Sequence, residues 1–354
     1  MTRRFILLDG LRGVAAFGVI SYHYAALNSG FAGRYSALCV DFFFVLSGFV
    51  LYPKLIQNNR TSFLTNRIIR LWPMLIPIFL TVITIERIPI LHKIFGGEIC
   101  SWKFLILAFL LIPMSYSGSR ITSFWSLAAE WFINLSAVFF LPKIKFNVKI
   151  VIGVVSICLI SEFFLLGILQ GNNNPRGFLG TTIVRNLLGI LRVSAGFFSG
   201  YILRFSLKNG DRYLIRLPFI IVLTVIFVTL LTINNDLLLI LDIPISYLLV
   251  GAVSQIDESK IHEGLLRLSS YLGRISYGIY VWHGPLGSLK IGQRIIGTFG
   301  SYAYPLVFVR FFGVLLNVLL VILVTEFTIR FIERPIRQLL IIGFKKAGAL
   351  KAQF

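Results

Sequence analysis

The stretch that decides the fold is L-V-F-V-R-F-F-G-V-L-L-N-V-L-L-V-I-L-V-T-E-F-T-I-R, residues 306–330. It is 25 residues long and carries only three charges. A helix of this length rises about 1.5 Å per residue and exceeds the roughly 30 Å hydrocarbon core of a bilayer. The stretch therefore predicts a membrane-spanning helix.

Similar apolar runs occur along the rest of the chain. They lie at about 10–27, 39–55, 72–90, 127–141, 150–169, 187–203, 217–233, 237–253 and 273–291. A shorter run, at about 104–116, is flanked by Pro, Gly and Ser residues and is predicted to be re-entrant or interfacial. We predict an all-α, polytopic transmembrane helical bundle of about ten spans, forming one integral-membrane domain over residues 1–354.

The composition excludes an ordinary soluble protein. Hydrophobic residues make up 57% of the chain and charged residues only 14%, too little polar surface to keep a soluble domain in solution. The first span contains Asp9, Arg12 and His23 and has no clean cleavage site after it. We therefore expect a retained span rather than a signal peptide.

Positive charge is distributed as in membrane proteins. The net charge is +20, and the basic residues cluster between the apolar runs. With ten crossings and both termini in the cytoplasm, 21 basic residues fall on the inside and 9 on the outside. Letting the short run cross would weaken this bias. Anionic lipid headgroups and a phosphorylated co-substrate are better partners than nucleic acid. The three cysteines have no CxxC or zinc spacing, so no metal site is predicted.

Charged residues inside spans are costly to bury and therefore informative. Arg12 and His23 are eleven residues apart, about three helical turns, so they share one face and lie roughly 16 Å apart along the axis. This spacing indicates a path with a cation that grips an anionic substrate and a titratable imidazole further along. The alternative is a snorkelling arginine and a histidine that is hydrogen-bonded between helices.

Two further motifs carry charge. Arg67 and Arg70, in R-I-I-R, face one way at the cytoplasmic start of the third span and could hold a phosphate, or could serve as ordinary interfacial anchors. Glu130, in F-W-S-L-A-A-E-W, is predicted near the outer end of its span, at the depth of His23. It could orient the imidazole or form a purely structural ion pair.

Other polar residues are candidate substrate contacts. Asp41, at the outer start of the second span, could hold Arg34 or a polar substrate. His283 is predicted to be structural or substrate-lining, and Trp125 is a third candidate. Glu333, in E-R-P, is expected to close the last span with an ion pair at the helix end.

Several motifs together resemble the membrane-bound acyltransferase-3 family. They are L-D-G-L-R-G-V-A-A with R-x10-H, D-F-F-F-V-L-S-G-F, R-I-I-R-L-W-P, F-W-S-L-A-A-E-W, S-Y-G-I-Y-V-W-H-G-P and F-I-E-R-P. They occur in the order typical of the family and cover almost the whole chain. Each motif is moderately specific, whereas the ordered set is strongly so.

The resemblance implies an O-acyltransferase of the bacterial inner membrane. Such enzymes move an acyl group, most often acetyl from acetyl-CoA, onto hydroxyls of extracytoplasmic or lipid-linked glycans such as envelope polysaccharide and lipopolysaccharide. By matching position, Arg12 and His23 are the pair required for transfer, and Arg67 and Arg70 are implicated in acyl-CoA use. Glu130 is the acidic residue after the short run.

The resemblance also leaves alternatives. His23 could act as a general base or as a transient acyl carrier. Some members carry an SGNH-type hydrolase domain, and none is expected within these 354 residues. The competing interpretations are a glycan or lipid transporter or flippase, which would also use buried charges, and a non-catalytic membrane scaffold.

Overall fold

A computed structural model describes residues 4–26, 39–57, 59–114, 116, 119–140, 153, 156, 183–208, 242–291, 294 and 306–349. Across these residues the regular secondary structure is helical and includes no strand, which confirms the predicted all-α class. The spans predicted at 150–169 and 217–233 lie outside the described residues, apart from residues 153 and 156.

The α-helices in the described part of the chain are α1 Ile6–Ala26, α2 Cys39–Ile56, α3 Arg60–Arg87, α4 Pro89–Phe95, α5 Trp102–Phe109, α6 Phe124–Phe140, α7 Ile183–Lys208, α8 Asp242–Ser254, α9 Glu263–Leu289, α10 Leu306–Thr328 and α11 Arg334–Lys346. Within this part, three continuous helical segments are long and apolar enough to cross a membrane: Cys39–Ile56, Arg60–Arg87 and Phe311–Lys346. The shorter helices α6 and α8 are also apolar.

Helix α3 begins at Arg60, twelve residues before the predicted start of its span at 72. The Asn59 side chain caps it by accepting a hydrogen bond from the backbone N–H of Ser62. Apolar content alone missed these first turns, because they are polar although they are helical. As a result, both arginines of R-I-I-R lie inside a helix rather than before one.

The helix of the last span does not end at Glu333, where its end was expected. A π-helical turn, Ile329–Glu333, links α10 directly to α11, and Pro335 follows at the first turn of α11. Proline has no N–H to donate to the preceding turn, and the π-helical turn, with its different hydrogen-bond register, lies where that bond would be missing. The chain therefore continues as one helical rod to Lys346.

The short apolar run forms α5, which has only eight residues. At about 1.5 Å per residue such a helix is roughly 12 Å long and cannot cross a bilayer. The Phe109 ring packs against Phe79 of α3, with the ring centroids 5.3 Å apart. The short run thus packs along the third helix.

Helices α1 and α9 pack side by side and run in the same direction. Gly10 lies against Ser269, Gly13 against Leu272, and Gly287 against the ring of Tyr24. A Cβ at Gly13 would lie 2.5 Å from the Cβ of Leu272, so small residues are needed for this close approach. The interface aligns the first helix with the S-Y-G-I-Y-V-W-H segment of α9.

Helices α2 and α7 form a second parallel pair. Gly196 and Gly200 of α7 form a G-x-x-x-G motif, and a Cβ at Gly200 would overlap the carbonyl oxygen of Val45. The rings of Tyr52 and Tyr201 meet further along, at 4.8 Å between centroids. Small residues thus allow close parallel packing in both helix pairs.

Candidate active site

A small inner cavity of about 100 Å³ lies between α1, α2, α3, α6 and α9. Its polar lining residues are Arg12, Ser47, Arg67, Arg70, Ser126, Glu130, Ser276, Tyr277 and Tyr280. Phe43, Phe44 and several aliphatic side chains form the remaining wall. The cavity therefore brings four charged groups together within an apolar setting, where charges interact strongly.

Glu130 is held by two partners in this cavity. Nη2 of Arg67 donates to its Oε1 at 2.8 Å, and Oγ of Ser47 donates to the same oxygen at 2.6 Å. The side chains of Arg67 and Glu130 are 7% and 19% exposed. Two roles for Glu130 were open. The role of orienting His23 gains no support, because these contacts join the carboxylate to Arg67 and Ser47.

The expected depth of Glu130 also needs correction. Rings of Trp72 and Trp131 meet at 5.2 Å, and rings of Phe79 and Phe124 at 5.8 Å. Helix α6 therefore runs antiparallel to α3, with Glu130 beside the first third of α3. Depth counted along a single span could not reveal this pairing.

Arg12 is fixed by helix α9. Its Nε donates to Oγ of Ser276 at 2.9 Å, and its Nη2 donates to the carbonyl of Gly273 at 2.5 Å. Asp9, one turn earlier on α1, lies 3.4 Å from the same nitrogen. The guanidinium is thus pre-positioned at the wall of the inner cavity rather than snorkelling freely.

A much larger basic vestibule adjoins the inner cavity. Its volume is about 1170 Å³, and nine of its lining residues are Lys or Arg whereas one is Glu. The cationic residues are Arg4, Arg12, Lys54, Arg70, Arg267, Arg274, Arg334, Arg337 and Lys345. The charge pattern predicts a cytoplasmic location for these residues. Nine cations around one space make the vestibule suited to a polyanion.

Three residues line both spaces: Arg12, Arg70 and Tyr277. They form the boundary between the wide vestibule and the narrow cavity. The two arginines of R-I-I-R are therefore not equivalent. Arg70 is exposed and reaches the vestibule, whereas Arg67 is buried against Glu130.

His23 and His283 meet on the other side of Tyr280. Their ring centroids are 4.9 Å apart, and the Tyr280 ring lies 5.6 Å from His283. The Tyr280 hydroxyl is hydrogen-bonded to Ser126, and both residues line the inner cavity. His23 itself does not line that cavity. As the sequence indicates, Arg12 and His23 share a face of α1, and each contacts α9.

Asp41 and Trp125 have different surroundings from those predicted. Both Asp41 oxygens accept hydrogen bonds from Arg192 of α7, at 2.7 and 2.6 Å, and the pair is buried. The guanidinium of Arg192 lies 5.9 Å from the Trp125 ring. Neither Asp41 nor Trp125 lines the inner cavity, so a substrate role for them gains no support. Arg34 lies outside the described residues.

Sequence reasoning missed several polar cavity residues. Ser47, Ser126 and Ser276 occur singly within apolar helices, where a hydroxyl on the core side is a usable signal. Tyr277 and Tyr280 occur within the quoted S-Y-G-I-Y motif, but no role followed from the motif alone. Among the residues that the structure describes, no cluster of His, Cys, Asp and Glu could hold a metal ion.

The fold and the cavity define an all-α membrane protein with a charged, partly enclosed cavity. The profile of the acyltransferase-3 family, described as an acyltransferase domain, matches residues 5–326. The chain therefore belongs to the acyltransferase-3 family.

Curated relatives extend beyond this domain. One is YrhL of Bacillus subtilis (strain 168), named as a candidate peptidoglycan O-acetyltransferase, with 27% identity over 93% of this chain and 54% of the relative. Another is the O-acetyltransferase OatA of Staphylococcus aureus (strain MRSA252), with 25% identity over 98% of this chain and 59% of the relative. The chain thus spans just over half the length of these relatives. No solved structure matches it.

Proposed function

We propose that this chain is an O-acetyltransferase that takes acetyl from cytoplasmic acetyl-CoA and transfers it to a hydroxyl of an extracytoplasmic or lipid-linked glycan. The observation that carries the proposal is the junction of the two spaces. A vestibule lined by nine cations shares Arg12, Arg70 and Tyr277 with a cavity of about 100 Å³. The names of YrhL and OatA support acetyl as the transferred group, and the name of YrhL supports a cell-wall glycan as the class of acceptor.

Acetyl-CoA has a shape and charge that suit this pair of spaces. Its phosphates would bind in the vestibule, where Arg70 is accessible and Arg12 is held at the boundary by Ser276 and Gly273. The thin pantetheine arm would pass this boundary and carry the thioester into the inner cavity. The small volume and aromatic wall of that cavity favour a short acyl group.

The chemistry would take place beside Tyr280, which lines the inner cavity and contacts His283. His23 would accept the proton of the sugar hydroxyl while the hydroxyl oxygen attacks the thioester carbonyl. The C–S bond then breaks, and the CoA thiolate takes the proton from His23. In the acyl-carrier variant, the His23 nitrogen attacks the thioester carbonyl, the C–S bond breaks and CoA leaves as the thiolate. The sugar hydroxyl oxygen then attacks the acetyl carbonyl, the bond to the His23 nitrogen breaks, and the hydroxyl proton passes to the CoA thiolate.

The test uses the full chain reconstituted in liposomes with radiolabelled acetyl-CoA and a purified envelope glycan. Wild-type protein is expected to label the glycan, and His23→Ala is expected to abolish labelling. His262→Asn is the matched control, because it changes an exposed histidine and keeps a side-chain cap at the start of α9. Wild-type labelling by His23→Ala would refute the proposed mechanism. Movement of glycan without labelling would favour a transporter.

Mass spectrometry of surface glycans from cells with and without the chain identifies the substrates. The expected difference is the added mass of one acetyl group on a sugar hydroxyl. Identical surface glycans in cells with and without the chain would contradict the proposal.

A further inference from the structure

His283, whose ring packs against that of His23, has an unusual set of contacts. Its side chain is buried, with the residue only 1% exposed. Its Nδ1 lies 2.5 Å from the backbone oxygen of Tyr280, one turn earlier on α9. A carbonyl oxygen can only accept a hydrogen bond, so Nδ1 must carry the proton. The neutral tautomer of His283 is thereby fixed.

Fixing this tautomer leaves Nε2 as a bare acceptor. Nε2 of His283 is buried and has no hydrogen-bond partner within the described part of the chain. Leaving a buried acceptor without a donor costs about 1–3 kcal/mol, so such groups usually have a reason to persist. The backbone of His283 is also held, because the Tyr24 hydroxyl donates to its carbonyl at 3.1 Å.

The position of this acceptor indicates which donor it serves. The His283 ring lies between His23, at 4.9 Å, and Tyr280, at 5.6 Å, and Tyr280 lines the inner cavity. His283 thus contacts both His23 and a residue of the inner cavity, into which the thioester is proposed to reach. In the proposed function, the donor that would arrive there is the hydroxyl of the acceptor sugar.

We propose that His283 is the acceptor-positioning residue: its Nε2 accepts the hydrogen bond of the attacking hydroxyl and holds it beside His23. This inference rests on the proposed function and adds a specific atom to it. No bond is made or broken at His283, since the hydroxyl proton passes to His23 at transfer. The hydrogen bond from Nδ1–H to the Tyr280 carbonyl fixes the orientation of the ring, and Nε2 accepts the hydrogen bond of the substrate hydroxyl.

Two substitutions separate the two nitrogens. His283→Asn keeps an amide N–H near the Nδ1 position but offers no acceptor near Nε2. His283→Gln loses the Nδ1 donor but can place an amide oxygen near the Nε2 position. A purely structural histidine would be better replaced by Asn, whereas an acceptor-positioning histidine would be better replaced by Gln.

The experiment measures acetyl transfer by both variants in liposomes, together with acetyl-CoA affinity and thermal unfolding. We expect His283→Asn to bind acetyl-CoA within about twofold of wild type and to transfer about 30-fold more slowly, as expected for a lost substrate hydrogen bond. His283→Gln should exceed His283→Asn by about fivefold, and the KM for the glycan should rise in both variants.

Other results overturn the inference. Near-wild-type transfer by His283→Asn, or no advantage of Gln over Asn, would show that only the Nδ1 contact matters. A variant that loses acetyl-CoA binding together with transfer would also contradict it. The wild-type arm separates the two proposals, because a wild-type chain that binds acetyl-CoA and transfers nothing refutes the proposed function itself.

Discussion

The pairing of Arg67 with Glu130 yields a quantitative prediction. Substituting Arg67→Met leaves the Glu130 carboxylate with the Ser47 hydroxyl, at 2.6 Å, as its remaining hydrogen-bond donor among the residues that the structure describes. Removing one partner of a buried ion pair typically costs about 3–5 kcal/mol. Because the Glu130 side chain is 19% exposed, we expect the lower end, a loss of about 3 kcal/mol of unfolding free energy.

A double-mutant cycle tests whether this loss belongs to the pair. Glu130→Gln keeps the shape of the side chain and removes its charge, and the double variant Arg67→Met/Glu130→Gln contains neither charge. The double variant should be more stable than the sum of the single losses implies, by at least about 2 kcal/mol. Equilibrium unfolding in detergent micelles measures the free energy of unfolding of the wild type, the two single variants and the double variant.

The same variants test the division of labour within R-I-I-R. Arg67 does not line the vestibule, so Arg67→Met should change the KM for acetyl-CoA by less than about threefold. A coupling energy below about 0.5 kcal/mol, or a large rise in that KM, would refute the view that Arg67 serves the carboxylate rather than the phosphates.

Two further predictions follow from the vestibule and the helix interfaces. Arg70→Met should raise the KM for acetyl-CoA about tenfold with little change in stability. Lys260→Met, at an exposed site outside the vestibule, should leave this KM unchanged. Steady-state kinetics measures both values, and equal effects would contradict the role of Arg70. Gly200→Ala should prevent normal folding, because its Cβ would overlap the Val45 carbonyl, whereas Gly343→Ala meets no atom within 4 Å and should be tolerated. Size-exclusion chromatography and thermal unfolding compare the two, and a well-folded Gly200→Ala protein would contradict the packing of α2 on α7.

Features that depend on one helix could be predicted from the sequence. The apolar runs gave the helical class, and the spacing of Arg12 and His23 gave their shared face, because helical periodicity is a local property. The apolar pattern predicts the start of a helix too late where the first turns are polar, as in the helix that begins at Arg60. The local sequence there contains a capping residue but little apolar signal.

Partnerships between helices could not be predicted in the same way. Glu130 was assigned to the depth of His23, but the antiparallel packing of α3 and α6 brings it to Arg67. Asp41 was assigned to Arg34 or a substrate, whereas Arg192, 151 residues away, occupies both its oxygens. Such pairs depend on long-range packing, which a single sequence does not encode in its periodicity.

The parallel contact between α1 and α9 has a consequence for how such an enzyme can work. This one interface carries the clamp on Arg12 at Ser276 and the meeting of His23 with His283. Sliding one helix past the other by a single turn, about 5.4 Å, would break both ends together. In the proposed reaction, α1 and α9 would therefore move as one unit, and the distance between Arg12 and His23 would be preserved.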